Sequence, residues 1–131
     1  MIYLWIALGS ALGGVGRYAC SGLVANWVGQ FFPWGTLFVN VVGSFIIGFF
    51  ASLTGPDGRM LVPGEIRQFV MTGICGGYTT FSSFSLQTLA LIQDGEIGYA
   101  GANVGVSVAV CLVSVWVGHI SATFFNALKG A

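Results

Sequence analysis

A run of glycines, hydroxyl residues and aromatic rings interrupts an otherwise apolar part of the chain. It extends from Thr72 to Ser85 and reads Thr-Gly-Ile-Cys-Gly-Gly-Tyr-Thr-Thr-Phe-Ser-Ser-Phe-Ser. Paired glycines and β-branched or hydroxyl residues are poor helix formers, so the run predicts a break in a helix. In hydrocarbon, the backbone groups freed by such a break must be satisfied by protein, ion or water. The run therefore indicates an ion or substrate site.

Two phenylalanines after the predicted break share one helical face with two hydroxyl residues. Phe81, Phe84, Ser85 and Thr88 are spaced i, i+3, i+4 and i+7. The edge of an aromatic ring is electropositive, so rings presented edge-on beside hydroxyl and amide donors could replace part of the hydration shell of a small, hard anion. A simpler interpretation is that the rings only pack and the glycines only allow helices to approach.

The two half-helices beside the break would carry opposite partial charges. The upstream half ends in unpaired carbonyl groups, which favour a cation. The downstream half begins with unpaired N–H groups, which favour an anion. A break near Gly76 to Thr79 could thus hold both kinds of ion.

Two polar residues in other apolar segments could join this site. Arg17 lies inside the first segment, where a guanidinium costs roughly 2.5 to 3.5 kcal/mol. It could attract anions into a vestibule, or it could extend to a lipid headgroup. Asn40 lies at i+4 from Thr36, with Ser44 at i+8 on the same face. Its amide could donate to an anion or connect two helices.

The last apolar segment carries a weakly polar stripe, which predicts either a pore-facing track or a tight helix seam. The stripe follows three- and four-residue steps through Asn103, Ser107, Cys111, Ser114, Gly118 and Ser121. His119, in the same segment, has no Cys or carboxylate near it in the sequence, and no function is assigned to it.

Composition places these segments in a membrane. The chain has 131 residues, of which 6% are charged and 56% hydrophobic, which is too apolar for a soluble domain. Gly9 and Gly13, spaced i, i+4, predict close helix contact in the first segment. We expect one domain, residues 1–131, of four transmembrane helices. Their approximate ranges are 2–27, 34–53, 66–93 and 98–126.

Several classes of function find no support in the sequence. The net charge is zero and there is no basic run, which argues against nucleic-acid binding. There is no paired carboxylate or Ser/His/Asp set, so we expect no enzyme. The cysteines lack metal-ligand spacing. The acidic residues all lie in predicted loops or at helix ends, whereas proton-coupled cation exporters need an intramembrane carboxylate. The acidic residues of this chain are Asp57, Glu65, Asp94 and Glu96.

Three stretches carry a resemblance to a known family. They are Gly13-Gly-Val-Gly-Arg17, Gly35-Thr-Leu-Phe-Val-Asn40 and Gly73-Ile-Cys-Gly-Gly-Tyr-Thr-Thr-Phe-Ser-Ser-Phe-Ser85. Together they resemble the CrcB/Fluc fluoride channels, and the similarity in length and order of motifs runs along the whole chain. The resemblance implies a fluoride-selective, passive channel in the bacterial inner membrane that relieves fluoride toxicity. It also implies an antiparallel, dual-topology homodimer with two pores and a structural sodium ion at its centre.

The resemblance assigns roles by position. It implies that the backbone carbonyls of Gly76 and Thr79 coordinate sodium. It places the pore-lining rings at Phe81 and Phe84. It places the other pore residues, which are donors or attract the anion, at Asn40, Ser107, Thr80, Ser85 and Arg17. Two positions depart from the family pattern, since Tyr78 stands where an aliphatic residue is usual and Cys111 where a Ser or Thr is expected.

The distribution of charge leaves the partner open. Both termini of a four-helix protein share one side, which would hold Arg59, Arg67 and Lys129, whereas the opposite loops carry no Lys or Arg. This modest bias allows either an antiparallel homodimer in the lipid or a heterodimer with an oppositely oriented paralogue. The alternatives to a channel are a small dual-topology exporter of organic cations and a membrane assembly protein that transports nothing.

Overall fold

The computed structural model describes the backbone of residues 1–130 and the side chains of residues 1–128. Every regular element in this part is helical. The helices are α1 (Ile2–Val28), α2 (Trp34–Leu53), α3 (Gly64–Gln68), a π-helix (Phe69–Cys75), α4 (Gly76–Tyr78), α5 (Phe81–Gln93) and α6 (Ile97–Gly130).

The first, second and last helices agree with the sequence prediction. Gly29 ends α1 with φ of 103°, a value that glycine tolerates because it lacks a Cβ atom, and its N–H bonds to the Ala25 carbonyl. Pro33 precedes α2, where its missing N–H costs nothing. Helix α6 extends to Gly130, four residues past the predicted end at 126. The prediction of an all-helical protein with four main helical segments is confirmed.

The third segment is interrupted, but two residues later than the centre of the predicted break. Thr79 and Thr80 are extended, with φ and ψ of −89° and 161° and of −152° and 117°. Gly76 is helical, with φ of −63° and ψ of −38°. The break therefore starts at the end of the predicted Gly76–Thr79 range. A π-helix of seven residues precedes it, and π-helical turns are frequent at functional sites.

Two glycines of the third segment, Gly73 and Gly77, serve close packing against α1 and lie within helical structure. A Cβ atom on Gly77 would lie 2.7 Å from the Ser10 carbonyl oxygen in α1. A Cβ atom on Gly9 would lie 2.5 Å from the Phe69 carbonyl oxygen. Backbones at such distances leave no room for a side chain, so α1 packs directly against the π-helix and α4.

The remaining contacts join α2 to α6 and to the start of the third segment. Helices α2 and α6 form the most extensive contact in the fold. Ser114 Oγ donates to the Val41 carbonyl at 2.7 Å across this contact. Arg67 donates from Nη2 to the Ala51 carbonyl at 3.0 Å and from Nε to Thr54 Oγ1 at 2.9 Å. Its positive charge thus lies at the carboxyl end of α2, the end that favours a cation.

The outer surface of the molecule is apolar. Helices α2 and α6 are long and apolar enough to cross a membrane, by length and composition. On α1, the side chains of Leu4, Leu8, Leu12 and Val15 are exposed. Large contiguous apolar surfaces of this kind mark contact with lipid or another protein. The fold is consistent with a membrane protein of four main helical segments, one of them broken.

Candidate functional site

A cavity of about 320 Å³ lies beside the break in the third segment. Its walls come from α2, the residues on both sides of the break and α6. Most of the residues singled out in the sequence line it together, although they come from three parts of the chain. They are Asn40, Gly76, Thr79, Thr80, Phe81, Phe84 and Ser107. Two predicted pore residues, Arg17 and Ser85, are not among the lining residues.

Asn40 binds the backbone of the break from the facing helix. Its Nδ2 donates to the Thr80 carbonyl at 3.1 Å, and its Oδ1 accepts from the Thr80 N–H at 2.7 Å. The amide thus satisfies both polar backbone groups of one extended residue, as a neighbouring β-strand would. One N–H of the Asn40 amide is left over from this pair. Both of the roles that the sequence left open, helix connection and donation into the cavity, are compatible with this geometry.

The carbonyl groups at the break differ in how they are satisfied. The Cys75 carbonyl accepts from the N–H of Thr79 at 3.0 Å and from its Oγ1 at 2.9 Å. Outside the backbone hydrogen bonds of the helices, no hydrogen bond within residues 1–130 has the carbonyl oxygen of Gly76 or Thr79 as its acceptor. Both of these residues line the cavity. Unpaired carbonyl oxygens are ligands of the kind that hard cations prefer, so these two groups fit the donor set of a cation site.

The two aromatic rings stand at the start of α5, just beyond the break. Their centroids are 5.5 Å apart and their planes are tilted by 55°. Thr80 caps this helix by accepting a hydrogen bond from the Ser83 N–H at 3.1 Å. Phe81 is 79% exposed in the single chain, whereas Phe84 is half-buried. The rings therefore lie where the positive end of the α5 dipole meets the cavity.

A chain of hydrogen bonds runs from Ser107 on the cavity wall into the protein. Ser107 Oγ donates to Asn103 Oδ1 at 3.3 Å, and Asn103 Nδ2 donates to Thr88 Oγ1 at 2.8 Å. Thr88 donates to the Phe84 carbonyl at 2.8 Å. In the sequence, Asn103 stands out only as part of the weakly polar stripe of the last segment. Its spacing of four residues from Ser107 was the signal that could have linked the two side chains.

Arg17 and Ser85 take positions away from the cavity. Arg17 Nε donates to the Gly77 carbonyl at 3.1 Å. This places the guanidinium at the carboxyl end of the helix before the break, where a positive charge is favourable. Ser85 is exposed, and its Oγ donates to the Phe81 carbonyl at 2.9 Å, within its own helix.

Two residues that the sequence left in question have defined surroundings. Ideal Cβ atoms on Gly16 and Gly43 would lie 3.6 Å and 3.4 Å from the Tyr78 ring, so that ring fits between α1 and α2. Cys111 lines the cavity, as a residue of the polar track would.

His119 lies outside this site. Its Nδ1 is 2.6 Å from Ser52 Oγ, so it connects α6 to α2.

No carboxylate side chain of residues 1–128 lines the cavity. Its polar surface consists of hydroxyl, amide, thiol and backbone groups. These groups can exchange hydrogen bonds with an ion, but they do not form a catalytic acid–base pair. Such a lining suits the replacement of a hydration shell without covalent steps.

Comparisons with known proteins agree with this assignment. A family model described as "CrcB-like protein, Camphor Resistance (CrcB)" matches residues 4–119. The chain is 67% identical to a "Fluoride-specific ion channel FluC" of Opitutus terrae over 130 residues, 99% of this chain and 98% of the relative. It is 60% identical to the protein of that name in Rhodospirillum rubrum over 126 residues, 96% and 98% of the two chains.

A third relative covers both sequences fully. The protein of the same name in Methylocella silvestris is 57% identical over 131 residues, 100% of each chain. These relatives are named as ion channels, which are transport proteins and not enzymes. The family match and the full-length identities show that this chain belongs to the CrcB family.

Proposed function

We propose that this protein is a passive, fluoride-selective channel. The observation that carries the proposal is the cavity at the break, which gathers two phenylalanine rings, the Asn40 amide and the Ser107 hydroxyl without a carboxylate. The names of the full-length relatives support fluoride as the permeating ion. In a bacterial inner membrane, such a channel lets fluoride leave the cytoplasm down its gradient and so relieves its toxicity.

Dehydration is the main energetic obstacle to a small anion, and the cavity lining offers replacements for water. The Asn40 amide has an N–H beyond the one bound to Thr80, and the first turn of α5 has unpaired N–H groups. The rings of Phe81 and Phe84 contribute electropositive edges. Hydrogen-bond donors reward a strong acceptor such as fluoride more than a larger and weaker one such as chloride.

The backbone carbonyl oxygens of Gly76 and Thr79 are the groups that would hold a structural sodium ion. Two carbonyl oxygens are fewer than a hard cation usually takes. A two-fold axis in the membrane plane would bring the same pair from a second, antiparallel chain to the ion. When bound, the ion would neutralise the carbonyl dipoles at the break and tie the broken helices of the two chains together.

An antiparallel dimer would also complete the walls of the pores. Phe81 is 79% exposed in one chain, which suits a ring that completes its surroundings against a partner. A two-fold arrangement would give two equivalent pores per dimer. The partner is an identical chain or an oppositely oriented paralogue.

A flux assay on purified protein tests the proposal. The protein is reconstituted in liposomes loaded with fluoride or chloride, and release is followed with ion-selective electrodes. We expect rapid fluoride release and chloride release near that of empty liposomes. Comparable release of both anions would contradict the selectivity. Proton-driven uptake of a fluorescent organic cation would indicate an exporter instead, and no transport of any ion would indicate an assembly role.

A further inference from the structure

A buried asparagine lies directly behind the cavity wall. Asn103 is 2% exposed and is not one of the lining residues. Ser107, which does line the cavity, donates its hydroxyl hydrogen bond to Asn103 Oδ1. The other end of the amide is held by Thr88 in α5. Both ends of the Asn103 amide are therefore held, and Ser107 is the lining residue to which this amide bonds directly.

The direction of the bond determines what Ser107 can offer an ion. A serine hydroxyl has one proton to donate. While the Ser107 hydroxyl donates its hydrogen bond to Asn103 Oδ1, its oxygen presents only lone pairs to its other neighbours, and these lone pairs repel an anion. An anion that binds Ser107 must therefore take the proton away from Asn103. The bond is 3.3 Å long, beyond the usual range of about 2.5 to 3.0 Å for hydroxyl donors, so it is weak and can be exchanged.

We propose that Asn103 is a positioning residue that weakens the hold of Ser107 on the permeating anion by competing for its proton. The inference rests on the proposed function, since it concerns the ion that crosses this cavity. A conducting site must bind its ion well enough to admit it and weakly enough to release it. The competing amide oxygen lowers the affinity at Ser107 and so favours release.

Substitution of Asn103 by leucine tests this role, because leucine has the same number of side-chain heavy atoms, branched at the same carbon, and no acceptor. Fluoride currents are recorded in planar bilayers over a range of fluoride concentrations. We expect the half-saturating concentration in Asn103→Leu to fall about two- to tenfold, the effect of one competing hydrogen bond. If the wild-type current is still linear in the accessible range, the variant should saturate within it. Asn103→Ala removes the same acceptor and carries the same expectation.

A double-variant comparison separates this role from a structural one. In a Ser107→Ala background, Asn103→Leu should leave the half-saturating concentration unchanged, because the hydroxyl proton for which Asn103 and the anion compete is absent. The control is Ser114→Ala, which removes another hydrogen bond of a buried α6 serine that does not line the cavity, and should not change the value. If Asn103 only connected helices, its replacement would lower the stability of the protein but would not tighten the binding of fluoride.

The outcomes distinguish this inference from the function on which it rests. A wild-type protein that passes no fluoride overturns both. A wild-type protein that conducts, with a half-saturating concentration unchanged or raised in both Asn103 variants, overturns the inference alone. The inference is also overturned if Asn103→Leu lowers the half-saturating concentration equally in the Ser107→Ala background, because the effect would then not act through Ser107.

Discussion

Asn40 shows how a single side chain can stabilise a broken helix in an apolar environment. Its amide makes a reciprocal pair of hydrogen bonds with the backbone of Thr80, at 3.1 and 2.7 Å. Buried polar groups left without a partner cost about 1 to 3 kcal/mol each. One side chain therefore removes two such costs from the centre of the candidate site.

Substituting Asn40 should reveal this pairing. Asn40→Leu leaves the Thr80 N–H and carbonyl without this partner, and because both groups are only part-buried we expect a loss of about 1 to 3 kcal/mol of stability. Asn40→Gln keeps both the amide donor and the amide acceptor and adds no charge, so its loss should be smaller. Thermal unfolding of the purified protein in detergent measures both. An Asn40→Leu protein as stable as the wild type would contradict the assignment.

The proposed anion site depends most directly on the electropositive edges of the two phenylalanine rings. We expect Phe81→Ile or Phe84→Ile to lower fluoride flux by at least about tenfold, equivalent to about 1.4 kcal/mol at the barrier, because isoleucine has no electropositive edge. Fluoride release from liposomes measures the effect. Leu86→Ile, at an exposed position of α5 outside the cavity, is the control and should conduct like the wild type. Wild-type flux in either phenylalanine variant would argue against a role for the rings.

The packing of α1 against the third segment positions the break. Gly9 and Gly77 allow the two backbones to touch. Arg17 reaches from α1 to the Gly77 carbonyl and adds a favourable charge at the carboxyl end of α4. The break is thus supported by α1 on one side and by α2, through Asn40, on the other.

Filling this contact should destabilise the fold. A Cβ atom on Gly77 would lie 2.7 Å from the Ser10 carbonyl oxygen, so Gly77→Ala must push the helices apart. We expect a loss of about 1 to 3 kcal/mol, the usual cost of overpacking, measured by thermal unfolding in detergent. A Cβ atom on Gly14 of α1 would meet nothing within 4 Å, so Gly14→Ala should be neutral or slightly stabilising. Equal stabilities of the two variants would refute the close contact.

The apolar exterior and the exposed Phe81 ring both need surroundings that one chain does not supply. Lipid covers most of such a surface. The few Lys and Arg residues, together four in the chain, give only a weak preference for one orientation. A mixed population of both orientations in the membrane is therefore the expected state for an antiparallel dimer of identical chains.

Dual topology can be measured by labelling a loop residue. Asp94 is exposed in the connection between α5 and α6. If the chain inserts both ways, a membrane-impermeant thiol reagent should label about half of the Asp94→Cys chains in intact cells and all of them in opened vesicles. The unsubstituted chain provides the background from its native cysteines. Complete labelling or none in intact cells would indicate a single orientation, and hence a different partner.

Composition and local pattern were enough to predict the helical elements. The low charge, the long apolar runs and the turn residues between them gave the bounds of the first two helices to within a residue, because these features depend on neighbours along the chain. The Thr72–Ser85 run likewise predicted an interrupted helix. It placed the break slightly too early, because Gly77 packs against α1 within a helix and the extended residues are Thr79 and Thr80.

The partners of each polar side chain depended on the tertiary structure. Nothing in the sequence shows that Asn40 meets Thr80, that Arg17 meets Gly77, or that Asn103 meets Thr88. These pairs join residues on different helices or depend on how a helix is rotated about its axis. Sequence alone determined which residues could bind an ion in a membrane. The packing of the helices decided which of them face the cavity and which are spent on stabilising the break, because each polar group in a low-dielectric interior must find a partner.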